Sequence, residues 1–309
     1  MRMRLLTLSF AALSMLAPGF ASSSGQQPDP SARGRLVVSA AWLRQHAADP
    51  NLVLLHVGNR TTYDAGHLPG ARYVDGSTLS ISQSPEGLTL EMLPAPVLRE
   101  NLAALGVSDT SHVVVYESDG MWAPSTRVML ALDYAGLARV SWLDGGQNAW
   151  VAAGGPLTAA VPPVTRGRLA PLTLHAVVVD AAFVKAHLHQ PGYAIVDARS
   201  PAFYDGTRTG GRPPQEHKTG HIAGAISVPY DSFTTGDAVL KPQEQIAAAF
   251  DKAGVKAGDT VVAYCHIGQQ ATATLFAARI LGHRVLLYDG SFEDWSRRDL
   301  PVDGPAAKR

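Results

Sequence analysis

Cys265 is the only thiol in the 309 residues, and it sits in the stretch VVAYCHIGQQAT, from Val261 to Thr272. Mostly apolar residues run into it. His266, Ile267, Gly268, Gln269 and Gln270 follow before the pattern turns helical. A strand that ends in a cysteine, followed by a short loop and a helix start, can turn its backbone N–H groups inward, as the first N–H groups of a helix do. Gly268 lets such a loop curl with no side chain in the way. A bowl of donors backed by the positive end of a helix dipole favours the thiolate over the thiol. It is too small for a nucleotide and suits a sulfur that bears one further atom. Free cysteine is also among the most buried residue types, so the competing reading is an inert core thiol. Placement at a strand end before a glycine loop favours the nucleophile.

The rest of the chain must position that residue. Hydrophobic residues make up 46%, enough for roughly two packed domains. Lys plus Arg and Asp plus Glu both number 26, so net charge is zero, which argues against bulk-charge binding to nucleic acid or to a membrane surface. Arg2 and Arg4 form a charged start. Leu5 to Leu16 form an apolar core, shorter than the ~20 residues of a spanning helix. Gly19-Phe20-Ala21 offers small residues to a signal peptidase. These features predict a signal peptide over 1–21, export to the periplasm or medium, and no membrane insertion after processing. Residues 22–35 read as a flexible leader. Exported proteins usually carry cysteines in disulfide pairs, which a single cysteine cannot form internally.

Two halves repeat each other. VVSAAWLRQH (37–46) resembles VVDAAFVKAH (178–187), and VVVYESDG (113–120) matches VVAYCHIG (261–268). RVSWLDGGQNAW (139–150) matches RVLLYDGSFEDW (284–295), and GHLPGA (66–71) matches GHIAGA (220–225). The second half reads as strands over 194–196, 224–228, 261–264 and 285–288. Helices follow Asp180 and span 244–252 and 272–281. Short apolar strands alternating with helices predict an α/β fold, each half a mainly parallel sheet flanked by helices on both faces. Ligands in such folds sit beyond the carboxyl ends of the strands, where Cys265 lies. The predicted organisation is a first domain over 36–153, a Pro-rich linker over 154–174, a second domain over 175–303 and a tail over 304–309.

YCHIGQQAT, the Asp197-Ala198-Arg199 triplet and the two GH segments, in this order and duplication, resemble the rhodanese sulfurtransferases from about Leu36 to Val302. The resemblance implies two tandem rhodanese-like domains. It implies transfer of sulfane sulfur from thiosulfate or 3-mercaptopyruvate to cyanide or a thiol through a Cys265 persulfide. In two-domain members the first copy usually lacks the cysteine. Here Glu117 stands opposite Cys265, and His56 and Gly58 stand opposite Asp197 and Arg199. The first half is thus expected to be a structural partner, with Glu117 mimicking a bound anion.

The family uses an arginine at Arg199 to hold the anionic substrate, which a guanidinium suits; the competing reading is a salt bridge to Asp197. Asp197 and His221 are expected to support the loop and the turn. His266, Ile267, Gly268, Gln269 and Gln270 are expected to bind substrate through backbone N–H groups, with His266 adding charge when protonated. The insertion 207–219 carries Arg208, Arg212, His217 and Lys218 and has no counterpart in the first half. Thiosulfate-preferring relatives usually follow the cysteine with basic residues and mercaptopyruvate-preferring ones with small neutral residues; His266-Ile267 fits neither. No metal or cofactor is expected: His187 and His189 lie two apart on a predicted helix, and no Cys pair, HExxH, GxGxxG or Walker loop occurs. The expected partners are a small-molecule sulfur donor and acceptor, with a protein sulfur acceptor as a further candidate. Phosphatase chemistry lacks its arginine, since Ala271 stands six residues after Cys265. A thiol-disulfide oxidoreductase lacks its resolving cysteine. A non-enzymatic sulfur-relay module remains as the second class.

Overall fold

The computed structural model describes residues 31–212 and 215–304. The signal-peptide expectation, the leader up to residue 30 and the tail from 305 lie outside the described residues.

The first half runs α1 (Ala32–Leu36), β1 (Val37–Val38), α2 (Ala40–His46), β2 (Leu52–Val57), α3 (Arg60–Ala65), β3 (Arg72–Val74), a hairpin of β4 (Ser80–Gln83) and β5 (Thr89–Met92), α4 (Ala95–Ala104), β6 (His112–Glu117), α5 (Trp122–Tyr134), β7 (Val140–Leu143) and α6 (Gly146–Ala152). The second half runs β8 (Val178–Val179), α7 (Ala181–His187), β9 (Tyr193–Asp197), α8 (Pro201–Tyr204), a small hairpin of β10 (Gly211–Arg212) and β11 (Gln215–Glu216), then β12 (His221–Ile222) and β13 (Ile226–Ser227). It continues with α9 (Gln243–Ala253), β14 (Thr260–Tyr264), α10 (Gln270–Ile280), β15 (Val285–Tyr288), α11 (Ser291–Arg297) and β16 (Val302–Asp303).

The two halves have the same sheet. The first is ordered β1-β7-β6-β2-β3 and the second β8-β15-β14-β9-β13, with all pairs parallel. The central strands are covered on both faces, so their sequences are continuous apolar runs without alternation: every residue of β14 is buried. Helices α5 and α10 are buried almost all round. Each covers its own sheet on one side and meets the other half on the other side. Phe276 of α10 stands edge-on to Trp122 and Trp142, and Thr126 Oγ1 meets Thr272 Oγ1 at 2.9 Å. Val53, Leu55 and Trp142 of the first half share one continuous buried cluster with Val196, Val261 and Phe276 of the second.

Several local expectations shift. Helix α10 starts at Gln270, two residues early, which brings its N-terminus closer to Cys265. The strand expected over 224–228 shrinks to β13 because Gly224 takes a left-handed φ of 75° and turns the chain. Residues 31–35, at the end of the expected flexible leader, enter a helix instead. Ser31 Oγ accepts from Gly34 N at 3.1 Å, and Arg33 Nη1 donates to Lys241 O at 3.0 Å. Helix α7 ends at His187, so His189 lies beyond it, at a φ of 60°. Among the described residues no helix is long and apolar enough to cross a membrane.

Candidate active site

Cys265 follows β14 directly and is 1% exposed. Its N–H donates to Ser291 Oγ at 3.2 Å, and Ser291 Oγ donates to Tyr288 O at 2.9 Å. The N-terminus of α11 takes up the next two carbonyls: Phe292 N–H donates to Cys265 O at 3.0 Å, and Glu293 N–H to His266 O at 2.9 Å. In a planar trans peptide the C=O and the following N–H point opposite ways. Binding those carbonyls outward therefore turns the N–H groups of His266 and Ile267 inward. Gly268 makes the bend in a left-handed φ of 79°. Among the described residues, no hydrogen-bond acceptor meets the N–H groups from His266 through Ala271. These N–H groups are unclaimed donors between Cys265 and the first turn of α10.

Asp197 ends β9 and pairs in register with Tyr264. Its carboxylate, at 0% exposure, accepts from Arg199 N at 2.9 Å and from Tyr264 Oη at 2.8 Å, and so ties the chain beside the cysteine. Arg199 does not stand free for a substrate. It is 1% exposed, and its Nε and Nη2 meet Asp197 Oδ1 and Oδ2 at 2.9 and 2.5 Å, with Nη2 also donating to Gly220 O at 2.8 Å. The guanidinium stacks on Phe292, 4.1 Å from the ring centre. Burial opposes its charge, but the Asp197 bonds and field outweigh that and hold its pKa above the ordinary value. The salt-bridge reading therefore describes most of this side chain.

His266 departs from expectation. Burial first, then the charge of Arg199 and the neighbouring His217, push its pKa down to about 4. At neutral pH it is an uncharged ring, edge-on to Phe203 at 4.5 Å, and brings no positive charge to an anion. Ile267, Gln269 and Gln270 are half-buried, and Gln270 is the first residue of α10. His221 supports the turn as expected: its Nδ1 meets Tyr204 O at 2.8 Å and its ring stacks on Tyr204. His67 repeats this with Tyr63 in the first half.

Gly210 and His217 of the insertion lie beside His266. A Cβ on Gly210 would stand 2.5 Å from His266 Nδ1, so a larger residue there would have to displace the His266 ring. The His217 ring lies 5.7 Å from that of His266. Of the insertion's charges, Lys218 Nζ donates to Arg298 O and Leu300 O, Arg208 stacks on Phe203 beside the His266 ring, and Arg212 is exposed.

In the first half the corresponding place is closed. Glu117 is 2% exposed, and its Oε2 accepts from Trp142 Nε1 at 2.8 Å. Oε1 has no partner, and Ser125 lies beside the carboxyl without an aligned hydrogen bond. Burial raises the pKa of Glu117 to about 7. The carboxyl thus points into the core and does not mimic an anion in a bowl of donors. His56 takes the place of Asp197, bonding Tyr116 Oη where Asp197 bonds Tyr264 Oη.

Some residues that shape the site were not singled out from the sequence. Ser291 and Phe292 hold the loop from α11, and Tyr264 braces Asp197 while accepting from Ile222 N at 3.0 Å. Arg127, from α5 of the first half, forms a buried ion pair with Asp289 at 2.8 Å and touches Gly268 O at 3.4 Å. A cavity of about 290 Å³ lies in the first half, lined in part by Gly58, Asp119 and Arg127, and Gln269 of the second half reaches its wall. The repeated Asp-Gly of LDGG and YDGS marked Asp289. Nothing in the repeat marked Arg127, whose counterpart is Leu275.

Comparison with known proteins agrees with this geometry. The family model described as a rhodanese-like domain matches residues 39–153 and again 180–298. Thiosulfate sulfurtransferase of Azotobacter vinelandii is 31% identical over 273 residues, covering 87% of this chain and 97% of the relative. 3-Mercaptopyruvate sulfurtransferase of Rattus norvegicus is 28% identical over 289 residues, covering 86% and 94%. The wild-type structure of EanB superposes with a TM-score of 0.80 at 23% identity, over 89% of this chain and 70% of that one, a likeness of fold.

Proposed function

The chain belongs to the rhodanese family, and from that premise we propose that it moves sulfane sulfur from thiosulfate to a thiophilic acceptor through a persulfide on Cys265. The observation that carries the reading is the single thiol at the end of β14, followed directly by a run of unclaimed amides. The Cys265 thiolate attacks the outer sulfur of thiosulfate. The S–S bond breaks, and sulfite leaves with the bonding pair. The persulfide anion then rests against the inward N–H groups, where each well-placed donor contributes about 3 kcal/mol in sites of this kind. Cyanide or a thiolate attacks the outer sulfur and returns Cys265 to its thiolate.

One observation favours 3-mercaptopyruvate as the donor. With His266 neutral and Arg199 paired to Asp197, the site offers little free positive charge to a dianion, and a mercaptopyruvate monocarboxylate asks for less. Both donors occur as named substrates of similar proteins. The same reading includes export, from Arg2, Arg4 and the apolar run 5–16.

The test is mass spectrometry of the Cys265 peptide after exposure to each donor, with steady-state rates for both. One extra sulfur is expected on that peptide and none on Cys265→Ser, which should lose turnover while staying folded. Turnover by the wild type with no modified peptide would rule out the covalent route.

A further inference from the structure

We infer that Arg127, contributed by the first half, is a positioning residue for the Cys265 loop, fixing the direction of the Gln269 amide. The inference rests on the reading of Cys265 as the sulfur-carrying nucleophile.

The loop's carbonyls are held from different sides. Those of Cys265 and His266 are tied down by α11, and that of Gln269 by Thr272 N and Oγ1, at 3.2 and 2.7 Å. The Gly268 carbonyl has one hydrogen-bond partner among the described residues, Arg127 Nη1 at 3.4 Å. Turning Gly268 O toward Arg127 sends the Gln269 N–H the opposite way, toward the sulfur. This peptide needs the constraint most, because a glycine at a φ of 79° can rotate with little steric penalty. The fit is close: a Cβ on Gly268 would stand 2.9 Å from Asp289 O and 3.3 Å from Arg127 Nη1.

Arg127 is itself fixed by three elements. Asp289, after β15, pairs with Nη1 at 2.8 Å and accepts from Met92 N of β5 at 2.8 Å. Ser80 Oγ, at the start of β4, lies 3.4 Å from Nε, and Leu90 O accepts from Nη2. The β4–β5 hairpin also holds Glu293 through Thr89 N at 2.8 Å, and Glu293 N–H is the donor to His266 O. The first half thus holds the bowl twice, through Arg127 on one side and through Glu293 on the other. Leu275 occupies the matching position of α10, so the fold does not itself require an arginine there.

The test uses two variants of the full chain. Arg127→Met with Asp289→Asn removes both buried charges together, which avoids stranding one of them, and asparagine keeps an acceptor for Met92 N. Arg127→Lys keeps the charge but loses the planar fork that serves Asp289 and Gly268 at once. For each we would measure the thermal midpoint, the rate of Cys265 alkylation by iodoacetamide at pH 7, and kcat and KM with the preferred donor. Misdirecting one donor should slow alkylation and lower kcat about tenfold in the double variant and about threefold in the lysine variant, with KM little changed. Wild-type alkylation and kcat in a folded variant, even one with a lowered midpoint, would overturn the inference by making Arg127 merely structural. If the double variant does not fold, the lysine variant decides by the same criterion. Failure of the wild type to take sulfur from either donor would instead sink the sulfurtransferase reading, while the alkylation comparison would still judge Arg127.

Discussion

Replacing Glu117 by glutamine should stabilise the protein in alkaline solution and leave it nearly unchanged in acid. The carboxyl is 2% exposed, bonded only to Trp142 Nε1, and burial carries its pKa from the ordinary 4.5 to about 7. The folded protein therefore holds this proton more tightly than the unfolded chain does. The stability linked to that proton is fully present below pH 4.5 and is lost as pH rises through 7. At ~1.4 kcal/mol for each tenfold change in proton affinity, the full loss is about 3 kcal/mol. Glutamine cannot ionise, keeps an oxygen for the Trp142 indole, and offers its amide to Ser125 Oγ, which is buried without a partner. Urea unfolding at pH 5 and pH 8.5 reads the effect: wild type should lose about 3 kcal/mol relative to Glu117→Gln between the two. Parallel pH dependence in the two proteins would refute the reasoning, because it would mean that Glu117 is as readily ionised in the fold as in water.

Arg199→Ala should act on stability before it acts on substrate binding. It strands the fully buried Asp197 carboxylate, at a cost of ~3–5 kcal/mol, measurable by urea unfolding. A fully stable Arg199→Ala protein with only a raised KM would return Arg199 to the role of substrate ligand. Export is checked by N-terminal sequencing of the protein recovered outside the cytoplasm, which should begin near Ser22; an intact Met1 start would count against it.

The central strands of the second parallel sheet were legible because each is a short apolar run between turn signals, and the duplication supplied a second reading of them; the hairpins β4–β5 and β10–β11, with polar strands, gave no such signal. Helix α9, its stop at Gly254 and the cap at Asp180 fall where pattern and capping chemistry place them. Cys265 was legible for the same reason, as a polar interruption at the end of a buried strand. Ionisation was not legible. His266 reads as a cation beside a thiolate until burial and the Arg199 charge are known, and both are tertiary facts. Arg199 reads as a substrate ligand until its fork is seen closed on Asp197 two residues away. Arg127 was hidden most deeply. It lies 138 to 162 residues from Cys265 and Asp289 in the chain, amid helix-forming neighbours, and only the packing of α5 on α10 brings it to the loop.

The differences between the halves form one coupled change. Position 146 in the first half and 291 in the second both take a left-handed φ, of 51° and 50°. In the second half serine accepts that strain, and its hydroxyl takes the Cys265 amide. In the first half a side chain is impossible there: a Cβ on Gly146 would stand 2.7 Å from Glu117 Oε1 and 2.5 Å from Glu117 O. The carboxyl of Glu117 and the hydroxyl of Ser291 are thus alternative occupants of the space behind the loop, and the residue that fills it settles whether the strand ends in a plug or a nucleophile. His56 fits the same logic, since a neutral ring bonding Tyr116 needs no arginine beside it, and Gly58 stands where Arg199 balances Asp197. The Asp-Gly turns have kept a shared task. Asp144 accepts Leu240 N from the second half at 2.8 Å, and Asp289 accepts Met92 N from the first at 2.8 Å. Each half reaches a segment across to the other's turn. Only the second-half turn also binds an arginine that touches the cysteine loop, so the contact that joins the halves symmetrically serves the chemistry on one side alone.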